Sequence, residues 1–307
     1  MCAESAFNDT ARGIDRLSDE ELLAWLRLAR AYRGRAKEAL SLVAAFGVPE
    51  AVFEAPRSSV KDRIGREAAM ALFDSEVEEV AERSLSWLRR TATADVVLMT
   101  DDDYPRELIE SGTGEVLLFI RGRRATLERP RVTLLIADRA DAEGRRNLGE
   151  FSIALARRGV ACVLSMENES EKAGAAALEI EGGAVIVSAS GPDRVPAACL
   201  DVWRLAEKTG VIITGEFPGT SGAEAGREPR NHLLAALSRG VLVIESERRD
   251  SVLEVVRRAA EMGRDVAAVP GSIHARMYKG NHQLIRQGAK LTESLADIVK
   301  DFGLERA

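Results

Sequence analysis

Residues 132–137 read VTLLIA, a continuous apolar run, and five more runs of this kind follow along the chain. They are VACVL at 160–164, AVIVSA at 184–189, GVIIT at 210–214, GVLVIE at 240–245 and VAAV at 266–269. Between them lie stretches with the 3.6-residue period of helices, at about 142–158, 170–180, 196–209, 228–239 and 250–262. Short strands without a polar face that alternate with helices are typical of a parallel sheet covered on both sides. We therefore predict an α/β fold, an extended Rossmann-like, doubly wound and mostly parallel sheet.

The first 95 residues have a different pattern, that of a small all-helical N-terminal module. Ser18 and Glu21 have the spacing of a capping box before an apolar helical stretch. A second helix is predicted around 36–46 and a long helix from about 67 to 90. Two more strands are predicted at 94–100 and 115–122. The predicted domains are therefore a helical module over 1–95 and a Rossmann-like domain over 96–307.

Composition restricts the class of protein. Of the 307 residues, 46% are hydrophobic and 30% are charged, which excludes a wholly disordered chain. Three cysteines are too few for a disulfide scaffold, and they are interpreted as reduced, buried thiols. No apolar run is long enough for a signal peptide or a membrane span. We therefore expect a cytoplasmic protein without a membrane partner.

The charges are unevenly distributed. The chain has 43 Lys and Arg against 49 Asp and Glu, a net charge of −6, which argues against a generally basic nucleic-acid or membrane binder. Residues 227–290, in contrast, contain twelve Lys or Arg and seven Asp or Glu, a local excess of five positive charges. An anionic ligand is therefore expected to bind in the C-terminal half.

Signatures of catalysis and of cofactor binding are missing. The string after 132–137, DRADAEGRR, lacks the G-x-G-x-x-G of a dinucleotide site. Neither a G-x-x-x-x-G-K-[ST] phosphate loop nor a G-x-S-x-G nucleophile motif occurs. His232, His274 and His282 do not have metal-type spacing with cysteines or carboxylates. We therefore predict no enzyme activity, no cofactor and no metal.

Two loops at strand ends are the candidates for an anion site. The first, GEFPGTSGAEAGREPRN, follows 210–214, and a helix predicted to begin near Arg230 would offer free backbone N–H groups to a phosphate. The second follows 266–269 and combines glycine and serine with several cations. The predicted DNA- or anion-binding residues are Arg139, Arg230, Asn231, His232, Gly271, Ser272, Lys279, Asn281, His282 and Arg286.

Other interpretations of these residues stay open. Asn231 suits ordinary helix capping, Arg139 suits a solvated charge, and Tyr278 suits the core as well as a base-stacking role. The acidic stretch 167–171 opposes an anion at a neighbouring strand end, so weak binding is expected.

Several strings resemble the DprA/Smf family of bacterial DNA-processing proteins. They are YPREL (104–108), LLFIRG (117–122), GEFPGTSG (215–222), PRNHLLAALSRGVLVIE (229–245), GRDVAAVPGSI (263–273) and KGNHQLIRQGAKL (279–291). The resemblance implies an extended Rossmann fold that binds single-stranded DNA, helps to load the recombinase RecA and serves natural transformation. It also implies a dimer, expected to form near 241–245 or the helix after it. The family is not known for a settled enzymatic reaction.

The sequence departs from the family pattern mainly on the side of the ligand. The family's V-G-[ST]-R is Ile136-Ala137-Asp138-Arg139, and its S-G-L-A-[RK]-G-I-D is replaced by SMENESEK at 165–172. The chain stops before the winged-helix domain that many members carry. An alternative function is therefore a degenerate scaffold that binds a protein partner or a nucleotide-like small ligand. A nucleotide hydrolase of the LOG type ranks lowest, since the P-G-G-x-G-T-x-x-E signature is absent.

Overall fold

The computed structural model describes residues 12–112 and 114–305. These residues form two compact units, the first containing 12–104, 112 and 114–119 and the second containing 105–111 and 120–305. The helices of the first unit are α1 Asp19–Ala31, α2 Ala36–Phe46, α3 Pro49–Glu54, α4 Arg57–Ile64, α5 Arg66–Leu72 and α6 Ser75–Arg90. They are followed by β1 Ala94–Leu98 and by β2 Leu117–Gly122, whose last three residues belong to the second unit. The predicted helical N-terminal module is confirmed, while the domain boundary at residue 95 stays a prediction.

Side-chain caps determine where two of these helices begin. Ser18 accepts a hydrogen bond from the Glu21 N–H at 3.1 Å and caps α1, as the sequence predicts. The single long helix predicted over 67–90 is wrong, because the chain breaks it into α5 and α6. Asp74 lies between them in an extended conformation and accepts from the Glu76 N–H at 2.8 Å. Aspartate favours such a cap over the interior of a helix.

The second unit alternates helices with strands. Its elements are α7 Arg106–Glu110, β3 Arg131–Ile136, α8 Ala142–Arg157, β4 Ala161–Ser165, β5 Ala184–Val187, α9 Leu200–Thr209, β6 Val211–Thr214, α10 Gly222–Ala225, α11 Glu228–Ala236, β7 Gly240–Glu245, α12 Val252–Glu261, β8 Asp265–Ala268, α13 Lys279–Arg286, β9 Lys290–Leu291 and α14 Leu295–Asp301. All six strands predicted from the apolar runs are confirmed. The helix predicted at 170–180 is a 3-10 helix, Glu171–Glu179.

The strands of the second unit lie in the order β2-β6-β5-β4-β3-β7-β8-β9. Every neighbouring pair from β6 to β9 is parallel; for example, Val132 of β3 lies opposite Cys162 of β4 on one side and Gly240 of β7 on the other. The predicted α/β fold with a doubly wound, mostly parallel sheet is confirmed.

Helices cover both faces of this sheet. On one face, α8, the 3-10 helix, α9 and α14 share a buried apolar cluster with side chains such as Leu134, Leu164 and Ile186. Thr133 points to the other face, where its hydroxyl donates to the Leu234 carbonyl of α11 at 2.8 Å. Strands covered in this way expose only their ends and the loops that follow, so a ligand site has to lie there.

Candidate functional site

The strand order reverses between β3 and β7. From β3 the chain adds β4, β5 and β6 on one side, and it then returns to add β7, β8 and β9 on the other. Doubly wound sheets bind ligands at the carboxyl ends of the strands at this switch point. The sequence predicts a site where β6 and β8 end, but β5, β4, β3 and β7 lie between those two strands. The loops after β3 and β7 are therefore the centre of the carboxyl edge.

The long loop after β6 returns α11 toward this centre. Arg230, on the first turn of α11, donates a hydrogen bond to the carboxylate of Glu167 in the loop after β4 and another to Asn231 Oδ1 at 2.8 Å. Both Arg230 and Asn231 are buried. These two predicted site residues therefore hold the β4 loop against α11 instead of facing solvent.

Helix α11 starts where the helical stretch 228–239 is predicted to start, but two residues before the start near Arg230 on which the anion site depends. The helix begins at Glu228, and the Asn231 N–H already donates to the Arg227 carbonyl at 2.9 Å. Asn231 and His232 therefore lie inside the helix, and their backbone N–H groups are not the free groups expected at a helix start. His232 is half-buried and has an interaction partner.

An acidic loop follows β4. Asn168 Nδ2 donates to Asp138 Oδ1 at 3.1 Å, which connects this loop to the loop after β3. Glu171 is half-buried and accepts from the backbone N–H groups of Glu167 and Asn168. Its burial raises the pKa of the Glu171 carboxyl above the usual range. The β4 loop therefore presents carboxylates at the edge, as expected from the sequence.

The loop after β8 has a packed side and an exposed side. Tyr278 is buried and its ring lies against Gly271, where any larger side chain would collide with it. The ring therefore belongs to the core and is not available to stack on a base. His282 Nε2 hydrogen-bonds with the Gly271 carbonyl at 3.0 Å. On the exposed side lie Ser272 and the half-buried Lys279, whose ammonium donates to the Ile273 carbonyl.

Asn281 is a structural residue of this edge. It is fully buried, and its amide nitrogen donates to the carbonyls of Val243, Ile244 and Val269 at 3.1, 3.0 and 2.9 Å. Its Oδ1 accepts from the Ser246 hydroxyl at 2.8 Å. The sequence predicts Asn281 among the ligand contacts; the structure shows that its polar atoms are used to join the ends of β7 and β8.

The two remaining predicted cations lie far apart. Arg139 is exposed on the loop after β3, at the switch point, and its side chain makes no ion pair with the described residues. Arg286 is exposed too, but it ends α13, the helix that carries the chain back from the carboxyl edge toward β9. The structure therefore does not bring Arg286 together with the other predicted residues.

Sequence reasoning missed two groups at the centre of the edge. The first is the pair Arg248 and Arg249, exposed on the loop after β7, which contributes to the positive excess of 227–290. A search for paired cations directly after each apolar run would have found them.

The second missed group is Glu245, the last residue of β7. It is fully buried, Oε1 accepts from the Asp141 N–H at 3.1 Å, and Oε2 has no hydrogen-bond partner among the described residues. A side chain at Gly144, in the first turn of α8, would collide with this carboxylate. Burial, with a smaller contribution from the charge of Asp141, raises the pKa of Glu245 to about 7. The protein's own carboxylate therefore occupies the position beside the N-terminus of α8 where a ligand phosphate would bind.

Comparison with known proteins agrees with this geometry. The family model of DNA recombination-mediator protein A matches residues 95–303. The chain belongs to this family.

Several DprA and Smf proteins are similar to this chain at about 30% identity. The DNA processing protein DprA of Streptococcus pneumoniae is 31% identical over 203 residues, which cover 66% of this chain and 72% of that protein. The putative DNA processing protein DprA of Mycobacterium tuberculosis is 28% identical over 300 residues, or 93% of this chain and 76% of that protein. The protein Smf of Escherichia coli is 29% identical over 228 residues, or 73% of this chain and 61% of that protein.

Two solved structures of DprA proteins share the fold. The structure of DprA from Streptococcus pneumoniae matches with a TM-score of 0.75 at 24% identity, over 93% of this chain and 98% of that one. DNA processing protein A from Helicobacter pylori, whose structure was determined to explain its single-stranded DNA binding mode, matches with a TM-score of 0.58 at 16% identity. That match covers 67% of this chain and 94% of the Helicobacter pylori chain.

Two further observations concern metal sites and membrane-spanning helices in the part of this DprA family member that the structure describes. Over residues 12–112 and 114–305, no three His, Cys, Asp or Glu side chains lie close enough together to hold a metal ion. Within the same residues, no helix has both the length and the apolar character that a membrane crossing requires.

Proposed function

We propose that this DprA family member binds single-stranded DNA at the carboxyl edge of its sheet, weakly, without sequence preference and in preference to duplex. The observation that carries the proposal is the presence of exposed cations on the loops after β3 and β7, with the half-buried Lys279 at the start of α13, in a chain whose net charge is −6. Phosphate contacts by such cations supply most of the affinity in sequence-independent binding. Single-stranded DNA binding by the Helicobacter pylori protein supports the choice of ligand.

The predicted site residues take two roles in this proposal. Arg139, Ser272 and Lys279 are exposed or half-exposed and contact phosphates; the Lys279 ammonium keeps donors to spare after its bond to Ile273. Gly271 makes room for the Tyr278 ring and so fixes the segment that carries Ser272. Other predicted residues take positioning roles. Asn281 and His282 hold the ends of β7 and β8, from which the loops with these contacts start, while Arg230, Asn231 and His232 belong to α11, where Arg230 fixes the acidic β4 loop. Arg286 lies outside the proposed contact surface.

Binding without catalysis is part of the same proposal. A nucleotide-like ligand at the switch point is disfavoured, because its phosphate would have to displace the Glu245 carboxylate from the N-terminus of α8. The acidic loop after β4 limits the affinity for any polyanion, since Glu167 and Glu171 lie at the same edge.

A salt titration tests the proposed ligand. Fluorescent oligo-dT is titrated with the full-length protein at salt concentrations from about 50 to 300 mM, with a duplex of equal length as the control. We expect a binding constant that falls with salt along a log–log slope of at least about 1.4 in magnitude, from the two cations Arg139 and Lys279 at about 0.7 each. Absence of binding at about 50 mM salt would overturn the proposal and favour a scaffold that binds a protein partner.

We further infer a role in loading the recombinase RecA onto DNA during natural transformation, on the strength of family membership. The test is RecA filament assembly on oligo-dT covered by single-strand binding protein, with and without this chain. A shorter lag in its presence supports the role, and an unchanged lag contradicts it.

A homodimer is the last part of the proposal. The sequence predicts a dimer surface near 241–245, but β7 is buried between β3 and β8, so that part of the expectation is wrong. The sheet instead ends at β9, where Leu291 is half-exposed and no described strand pairs on the outer side. An unpaired edge of this kind suits a second copy. Sedimentation equilibrium that shows only a monomer of 33.3 kDa at high micromolar concentration would exclude the dimer.

A further inference from the structure

Arg248 and Arg249, like Arg139 on the loop after β3, have no internal partner among the described residues. Both side chains are exposed, and neither makes an ion pair or a hydrogen bond with the described residues. The neighbouring cations are engaged: Arg230 with Glu167, Arg276 with Glu247 at 2.9 Å, and Arg227 with Asp138 at 3.9 Å. Two adjacent guanidinium groups that no carboxylate neutralises are available to an external anion.

The loop that carries these arginines is fixed at both ends. At its start, Ser246 is fully buried, donates to Asn281 and accepts the Gly280 N–H at its carbonyl at 2.8 Å. Gly280 packs so closely on this segment that a methyl group there would lie 2.5 Å from the Glu247 carbonyl oxygen. At the other end, the Asp250 carboxylate accepts from the Val252 N–H at 3.2 Å, at the start of α12. Only the tip, Arg248-Arg249, points away from this framework.

The position of Arg248 and Arg249 in the fold indicates where a ligand would meet them. The loop follows β7, and β7 lies directly beside β3, whose following loop carries the unpaired Arg139. Unpaired cations therefore come from the two strands that flank the switch point, where doubly wound sheets bind their ligands. The β4 loop on the other side of β3 is acidic, and the cations beside its glutamates, Arg230 of α11 and Lys172, are paired with them.

We propose that Arg248 and Arg249 contact phosphates of the single strand, and that the strand therefore crosses the β3–β7–β8 half of the carboxyl edge and avoids the β4 loop. This inference deepens the proposed function and rests on it. Each arginine contributes a charge-assisted contact to a phosphate oxygen, and each contact releases counterions from the nucleic acid.

A matched pair of double variants tests the inference. Arg248→Ala/Arg249→Ala removes the loop cations, and Arg157→Ala/Arg158→Ala removes an equal charge from another adjacent, exposed and unpaired pair. The control pair lies at the C-terminal end of α8, just before β4 begins, and therefore at the opposite edge of the sheet. Oligo-dT binding is measured from about 50 to 300 mM salt, and urea midpoints verify that both variants fold like the wild type.

The expected result is a loss of slope in the loop variant alone. Its log–log salt slope should be about 1.4 smaller in magnitude than that of the wild type, and its affinity at 50 mM salt at least about tenfold lower. The control variant should keep the wild-type salt slope, and its affinity should stay within about twofold of the wild type. Equal losses in the two variants, or no loss in the loop variant, would overturn the inference while the proposed function stands. A wild-type protein that does not bind at all overturns both.

Discussion

Asn281 shows how a single buried amide can determine the shape of a binding edge. It joins three carbonyl groups at the ends of β7 and β8 and at the same time accepts from Ser246, the residue that starts the arginine loop. Removing one partner of buried hydrogen bonds costs more than the bonds themselves contribute, because the remaining groups lose water without replacement.

Asn281→Ala is therefore expected to lower the free energy of unfolding by about 3 kcal/mol or more, since it removes four buried hydrogen bonds at once and leaves the buried Ser246 hydroxyl without its acceptor. Urea denaturation provides the measurement, and the midpoint should shift without a change in the m-value. Gln283→Ala, on the same helix, is the control, since no side-chain bond of Gln283 is observed among the described residues. Equal midpoints for the two variants would show that the amide is dispensable.

Glu245 gives the protein a pH-dependent stability. Its pKa in the folded state, about 7, lies above the ordinary value of 4.5, so the folded protein holds the proton more tightly than the unfolded chain does. Stability present below about pH 4.5 is therefore lost as the pH rises to about 7, and it stays constant above that. Asp141 and Arg145 are the charged groups that face this carboxyl, and their effects oppose each other.

Glu245→Gln keeps the shape of the side chain and removes the titration. Since one pKa unit corresponds to about 1.4 kcal/mol and the shift is about 2.5 units, the variant should exceed the wild type in stability by roughly 3 kcal/mol at pH 8 and by much less at pH 5. Urea midpoints of the variant and the wild type at the two pH values measure this difference in stability. A wild type that is the more stable protein at pH 8 would mean that the N-terminus of α8 stabilises the ionised carboxylate.

Helix α7 depends on a buried cation from a strand. Arg131 of β3 is buried and bonds to the Glu107 carboxylate of α7 and to the Leu237 carbonyl at 2.7 Å. Arg264 binds the same helix at Glu110, at 3.2 Å, but there the carboxylate is 65% exposed. The two ion pairs hold the same short helix, but the carboxylate of one pair is mostly buried and that of the other is exposed.

We expect Glu107→Ala to cost about 3–5 kcal/mol, because it leaves the Arg131 guanidinium buried without its counter-charge. Glu110→Ala should cost about 1 kcal/mol or less, since exposed ion pairs contribute little. Chemical denaturation of both variants gives the answer. Similar losses would indicate that α7 is held by its backbone contacts alone.

The sequence predicts elements well where a local rule decides them. All six apolar runs are strands because a strand covered on both faces has no alternative to apolar side chains, and Ser18 caps α1 by a rule that spans three residues. The break at Asp74 escapes prediction because the apolar period continues across it. The helical period predicts the start of α11 at 228 correctly, but the start near Arg230 assumed for the anion site is two residues late, since Arg227 and Glu228 carry no strong capping signal.

The arrangement of the site is harder to predict, because it depends on strand order across the whole second unit. Neighbours in sequence such as Asn231 and His232 suggest a single anion-binding helix start, whereas Arg230 is paired with a glutamate 63 residues earlier. No local pattern shows that β7 returns to lie beside β3. The importance of Arg248 and Arg249 follows only from that return.

The fixed arginine loop also has a kinetic consequence. A strand that binds preordered, exposed cations waits for no folding step, so association should proceed at about 10⁷ M⁻¹ s⁻¹. With a dissociation constant of about 10⁻⁵ M, typical of sequence-independent contacts, each encounter would last on the order of 10 ms. Residence this short suits a protein that passes a strand on to another, and it is poorly suited to one that stores it.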